Sequence, residues 1–306
     1  MARGPAVKPD IGLILIASIA FATSAPLSKI SASIPAIAVA SARTALAAFV
    51  LALAAPGALG RALRGLSRRQ RGGVVLAGGL LGAHLAFFVA GVTRTSIAAA
   101  VALVSLEPLA VVLAAFLAFR LRPTRRELAG LLVATAGAFV VASGAGSGEH
   151  RLDGDLMVLA AVAFFGAYVA AARGLREAMP ATQYAAAVYG TASLTLLPLA
   201  IPFAAPLAVA PPPLRAGLAV VGLGILPTLI GHTLVQRAAR TASPVVVALV
   251  CPGETVGAIL IGAAFFGTPP SVGEGIGAAI VLAGAMLAMT GRPVPPPPPD
   301  VTPRTT

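Results

Sequence analysis

The chain has 306 residues, 58% of them hydrophobic and only 10% charged, with a mean hydropathy of +0.94. A soluble domain carries about 25% charged residues, so that class is excluded and the chain belongs in lipid. The positive balance, 22 Lys plus Arg against 10 Asp plus Glu, falls in short loops rather than on one basic face, which argues against nucleic-acid binding.

A membrane-crossing helix needs about 20 mainly apolar residues. In chain order, ten stretches meet that requirement: 11–30, 36–55, 73–93, 95–119, 127–144, 154–173, 180–201, 216–236, 243–266 and 271–290. The first, preceded by Arg3 and Lys8 and followed by small residues, also has the outline of a secretory signal. Its length suits a full crossing, and the repeat described below needs it. Cys251, the single cysteine, lies in the ninth span and reads as a small buried hydrophobe. Beyond the tenth span, PVPPPPPDVTPRTT from Pro293 is expected to be an extended cytoplasmic tail.

Cytoplasmic loops collect Lys and Arg. The N-terminus, the loops after the even-numbered spans and the C-terminus together hold 17 of them, and the opposite side holds four, Lys29, Arg94, Arg151 and Arg215. Both termini are therefore expected in the cytoplasm, with an even number of spans.

The two halves repeat each other. RTSIAAAVALV from Arg94 returns as RTASPVVVALV from Arg240, and ELAGLLVATAG from Glu127 returns as EGIGAAIVLAG from Glu274, at offsets of 146 and 147 residues. With five spans per half, the second copy must sit upside down in the bilayer, an arrangement typical of transporters. The expected fold is an all-α integral membrane protein of ten transmembrane helices in two inverted five-helix repeats. Its expected divisions are an N-terminus over 1–10, repeats over 11–144 and 154–290, a connecting loop over 145–153 and the tail over 291–306.

Two carboxylates fall in the middle of spans, Glu107 and Glu254, 147 residues apart. A charge at the helix centre costs about 2.5–3.5 kcal/mol on insertion scales, so it faces protein or a watery cavity. The matching offset makes the pair repeat equivalents near the bilayer midplane. They read either as proton carriers and partners for a substrate ammonium, or as hydrogen-bonding anchors bracing both halves. Pro108 and Pro252 interrupt the helix ladder beside them.

Arg43 stands about 10 Å into the second span, as a carboxylate-binding group or as a snorkelling or ion-paired one. His84 and His232 are proton-linked groups or satisfied core histidines. Tyr168, inside the sixth span, is a candidate cavity-lining residue. Neither a metal-binding cluster nor a strand-linked phosphate loop is present in the sequence, so no metal or cofactor is expected. A membrane-embedded enzyme would need a nucleophile and base or a ligand set that these residues do not compose.

The stretch from Pro227 to Pro270 resembles the second repeat of the EamA family in the drug/metabolite transporter superfamily. Gly231, His232 and Thr233 match its Gly-His-Thr element, and Glu254, Thr255, Val256, Gly257 and Ala258 match its Glu-Pro-Val-Gly-Ala element, with Thr in place of Pro. The first half keeps the Glu-Pro pair as Glu107 and Pro108, and the resemblance extends over about 11–290. A Gly-Glu pair frequent at the ends of the family's fourth and ninth helices is here Phe119–Arg120 and Gly267–Thr268, so no role for those glutamates carries over.

The resemblance implies a secondary-active transporter in the cell inner membrane, exporting a small metabolite such as an amino acid by alternating access with proton exchange. The same fold in other members performs drug efflux or solute uptake. A noncatalytic membrane partner that has lost transport is the reading from another class.

Overall fold

The structure, a computed structural model, describes residues 11–95, 100, 103–143, 151–175, 177–203, 211–266 and 271–290. The expected N-terminal segment 1–10, most of the connecting loop, Gly267 and Thr268, and the tail 291–306 lie outside the described residues. All regular structure among the described residues is helical.

The first half contains α1 (Ile11–Ala22), α2 (Ser24–Ile30), α3 (Ala36–Ala54), the short α4 (Ala58–Arg64), α5 (Arg68–Arg94), α6 (Glu107–Phe119) and α7 (Arg125–Ser143). The second contains α8 (Leu152–Gly174), α9 (Ala181–Ala200), α10 (Leu214–Leu223), a π-helical segment Gly224–His232, α11 (Thr233–Thr241), α12 (Pro244–Ala248), α13 (Val250–Phe266) and α14 (Val272–Met289). Six helices among the described residues are long and apolar enough to cross a membrane: Gly12–Ile30, Ala36–Ala54, Arg68–Arg94, Leu152–Gly174, Ala181–Phe203 and Leu214–Thr241. The rest of the ten expected spans are represented by shorter apolar helices and by α7, whose first turn carries Arg125, Arg126 and Glu127. Turns interrupt the helices at Ser105–Leu106, ahead of α6, and at Leu249, between α12 and α13.

Local sequence fixes two of the polar ends. Ser67 and Gln70 form a reciprocal capping box at the start of α5: the Gln70 backbone N–H donates to Ser67 Oγ (3.3 Å) and the Ser67 backbone N–H donates to Gln70 Oε1 (2.9 Å). Thr124 and Glu127 repeat the device at α7, over 2.8 and 3.2 Å. Each pair satisfies two backbone donors that the first helical turn leaves without partners.

The halves interlock. α5 packs on α8 as the π segment and α11 pack on α1, α3 packs on α9 and α7 on α14, and α1 packs on α13 as α8 packs on α6. Exchanging the two halves leaves this set of principal pairings unchanged. The α7–α14 contact is closed by glycines: a side chain at Gly137 would lie 2.7 Å from the Val281 backbone nitrogen and 2.9 Å from the Gly277 carbonyl, and one at Gly277 would lie 2.8 Å from the Gly137 carbonyl. Gly130 and Gly284 face each other in the same way. The four are two repeat-equivalent pairs, Gly130 with Gly277 and Gly137 with Gly284, each separated by 147 residues. Backbones approach this closely only where no Cβ intervenes.

Candidate functional site

The interface between the halves forms a small cavity into which several polar side chains project. Its walls come from α1 and α2 (Phe21, Ser24), α3 (Arg43), α5 (His84), α6 (Glu107), α8 (Phe165), the π segment (His232) and α13 (Glu254). Five of the six residues singled out from the sequence therefore meet in one place. Tyr168 stands next to it, its ring 5.7 Å from that of His232. The volume open to water centres is about 20 Å³, room for a water and little more.

Glu107 occupies the first turn of α6, immediately after the break at Ser105–Leu106, and Pro108 beside it sits where a helix needs no backbone donor. Its side chain is 4% exposed and accepts a hydrogen bond from the Cys251 thiol, Sγ to Oε2 3.2 Å. This contact joins α6 to α13 and gives the lone cysteine a polar role that its apolar surroundings in sequence concealed. Glu254 lies one turn beyond Cys251, is half-buried, and receives no hydrogen bond from protein among the described residues.

Arg43 is 1% exposed, so it does not snorkel. Its Nε donates to Thr228 Oγ1 at 2.7 Å, and Thr228 in turn donates to the Leu223 carbonyl at 2.7 Å. Both terminal nitrogens, Nη1 and Nη2, are buried without a protein partner. Thr228 belongs to the π segment, whose wider turns and Pro227 shift the backbone bonds and leave the Leu223 carbonyl to a side chain. The Tyr189 hydroxyl donates to the Thr228 carbonyl (3.0 Å) and pairs with Thr233 Oγ1 (2.9 Å). The π segment is thus braced from two sides.

The rings repeat the exchange of halves. Phe21 of α1 packs edge-on to His232 at 4.7 Å, and Phe165 of α8 packs on His84 of α5 at 5.1 Å. The two histidine rings meet at 5.6 Å and the two phenylalanine rings at 6.5 Å. His84 Nδ1 donates to the Ala161 carbonyl at 3.0 Å, which leaves Nε2 as its acceptor when the ring is neutral. His232, 2% exposed, has Nδ1 without a partner. The eighth span, expected to end at 236, continues to Thr241, so His232 stands nine residues from its end rather than four. Tyr168 accepts from Gln236 Nε2 at 2.6 Å, so its hydroxyl is engaged behind the cavity wall.

Among the described residues no three His, Cys, Asp or Glu side chains converge as a metal site. A larger groove, about 190 Å³ for water centres, runs between α1, α13 and α14. Ser18 is its one hydroxyl-bearing wall residue, and no titratable side chain lines it.

Residues 9–143 and 152–290 each match the EamA-like transporter family. The chain belongs to that family. EamA-like proteins are transporters, and the two matches, one per half, agree with a chain built of two repeats and placed in the membrane as a multi-pass protein. A solved crystal structure is 21% identical and aligns with a TM-score of 0.69 over 92% of this EamA-like chain and 98% of its own. At that identity the likeness is one of fold. Among curated proteins nothing matches.

Phe21, Phe165 and Thr228 were not singled out from the sequence, and Cys251 was read there only as a small buried hydrophobe. Phenylalanine and cysteine in apolar spans look like packing, and only the tertiary pairing of the halves brings them to the cavity.

Proposed function

We propose that this chain is a secondary-active exporter of small metabolites, amino acids or related amphipathic solutes, working by alternating access coupled to protons. It crosses the cell inner membrane ten times in two inverted five-helix repeats, 11–144 and 154–290, with both termini cytoplasmic. The observation that carries this reading is the cavity itself. Opposed carboxylates, histidines and an arginine, drawn from both halves, meet where the repeats interlock, and transporter sites form at such repeat interfaces.

The pairing pattern supports the mechanism. Because exchanging the halves preserves the pairings, a second state in which each half takes the other's conformation is built from the same contacts and opens the opposite side. The cavity in its present shape is too small for a metabolite, so loading requires that movement. Glu107 and Glu254 carry the exchanged proton or hold a substrate ammonium, His84 and His232 relay it, and Tyr168 shapes the wall behind His232.

The test compares metabolites in the medium of bacteria overexpressing the protein with those of an equally abundant Glu107→Gln, Glu254→Gln variant. A solute enriched only with the wild type supports export and names the cargo. Equal media, with both proteins inserted, refute metabolite export and leave uptake, drug efflux or a non-transporting partner role, which direct flux measurements separate.

A further inference from the structure

Arg43 breaks the symmetry of the site. Phe21 faces Phe165, His84 faces His232, and Glu107 has its repeat equivalent in Glu254. The residue 146 positions after Arg43, the offset that aligns Arg94 with Arg240, is Tyr189. These two converge on one residue: Tyr189 binds the Thr228 carbonyl and Arg43 binds its hydroxyl. Thr228 holds the guanidinium by its Nε edge, and the fork of Nη1 and Nη2 stays bare and buried.

A buried cation with unused donors is costly unless something satisfies it. Neither Glu107 nor Glu254 is in ion-pair contact with Arg43 among the described residues, although all three line the same cavity. Glu107 already accepts from Cys251, whereas Glu254 accepts no hydrogen bond from protein among the described residues. The cavity therefore offers a bare guanidinium fork and a carboxyl group without a protein donor among the described residues, and the two do not satisfy each other. A planar two-nitrogen fork matches a carboxylate in bidentate fashion, and a free carboxylate matches an ammonium.

We infer that Arg43 is the carboxylate anchor of the substrate site and Glu254 the ammonium anchor, so that the cargo is a small zwitterion bound in one fixed orientation. This deepens the transporter reading and rests on it. Because the cationic position exists in one half alone, the anionic end of the solute lies against the second and eighth spans in either state of the carrier. The imidazole and phenyl rings of His84, His232, Phe21 and Phe165 supply a narrow wall that suits a short carbon skeleton between the charged ends.

The test uses the purified full chain in detergent and reads its unfolding temperature across concentration series of the twenty α-amino acids. For any that stabilises, the matched amide, decarboxylated amine and deaminated acid follow. The expected result is stabilisation by at least one amino acid, with half-saturation shifted about 10²-fold or more by loss of either charged end. Arg43→Gln produces the same loss for the amino acid, and Arg43→Lys restores part of it. The inference is overturned if no amino acid stabilises the wild type, or if the amide performs as well as the acid. The analogue series on the wild type decides the matter even where Arg43→Gln fails to fold. A cargo without a carboxylate in the export screen would sink this inference and leave the transporter reading intact, while zwitterion binding without export would do the reverse.

Discussion

Gly137→Ala places a Cβ 2.7 Å from the Val281 backbone nitrogen, 2.9 Å from the Gly277 carbonyl and 3.0 Å from Ile280 Cβ. Ordinary contact begins at 3.4 Å, so α14 must withdraw by about 0.7 Å along much of the interface, because its backbone cannot yield locally. Overpacking of this degree costs about 1–3 kcal/mol. The alanine's better helix propensity returns at most about 1 kcal/mol, and the net effect is destabilising. Reversible unfolding in mixed detergent micelles measures the difference. Gly79→Ala is the control, since a Cβ there meets nothing within 4 Å, and it should leave stability unchanged or slightly higher. The repeat partner supplies a second check: Gly284→Ala meets the backbone of Gly130 and Ala134 and should lose a similar amount. If Gly137→Ala unfolds with the same free energy as Gly79→Ala, the glycine-closed contact does not hold the halves together and the argument fails.

Thr228→Val keeps the shape of the residue but removes the oxygen that holds Arg43 Nε; KM for the exported solute should rise about tenfold with little change in expression, and an unchanged KM would mean that this bond does not orient the guanidinium. Arg240 donates to the Leu175 and Met179 carbonyls and lies over the Tyr184 ring at 5.6 Å. Its replacement by leucine should lower unfolding stability by about 1–3 kcal/mol, with no loss pointing to solvent as an equal partner for those carbonyls. Ser67→Ala removes the oxygen that accepts from the Gln70 backbone N–H and should cost about 1 kcal/mol in the same unfolding assay; Gln70→Ala added on top should cost about 0.5–1 kcal/mol more, since the backbone N–H of residue 67 still donates to Gln70 Oε1 in the single variant.

Much of the architecture could be read from the chain because lipid makes errors expensive. Glu107 and Glu254 stood out as charges inside apolar spans, their common offset tied them to the repeat, and they line the same cavity. The glycines of α7 and α14 were visible within the repeated ELAGLLVATAG and EGIGAAIVLAG, yet nothing in either copy says that they face one another. The π segment left no compositional trace beyond Pro227, and with it went the length of the eighth span and the place of His232 within it. Thr228 was silent for the same reason, since its importance lies in taking both Arg43 and the Leu223 carbonyl. The bond from Cys251 to Glu107 spans 144 residues, and no local pattern could announce it. What escaped the sequence was mostly what one half supplies to the other.

The reciprocal packing also sets a clock on synthesis. α7 finds its main partner in α14, and α5 and α3 find theirs in α8 and α9, so the first half leaves the ribosome with its adhesive faces uncovered. Ribosomes add about 5–20 residues per second, and the 147 residues between Gly130 and Gly277 therefore impose a wait of about 7–30 s before the glycine surface is met. During that interval a nascent half has only other membrane helices to bind, and the completed second half of a neighbouring copy offers the same antiparallel glycine face as its own. Slowing translation across the connection between the halves should accordingly raise the yield of cross-paired chains, whereas joining a preformed second half in trans should lower it.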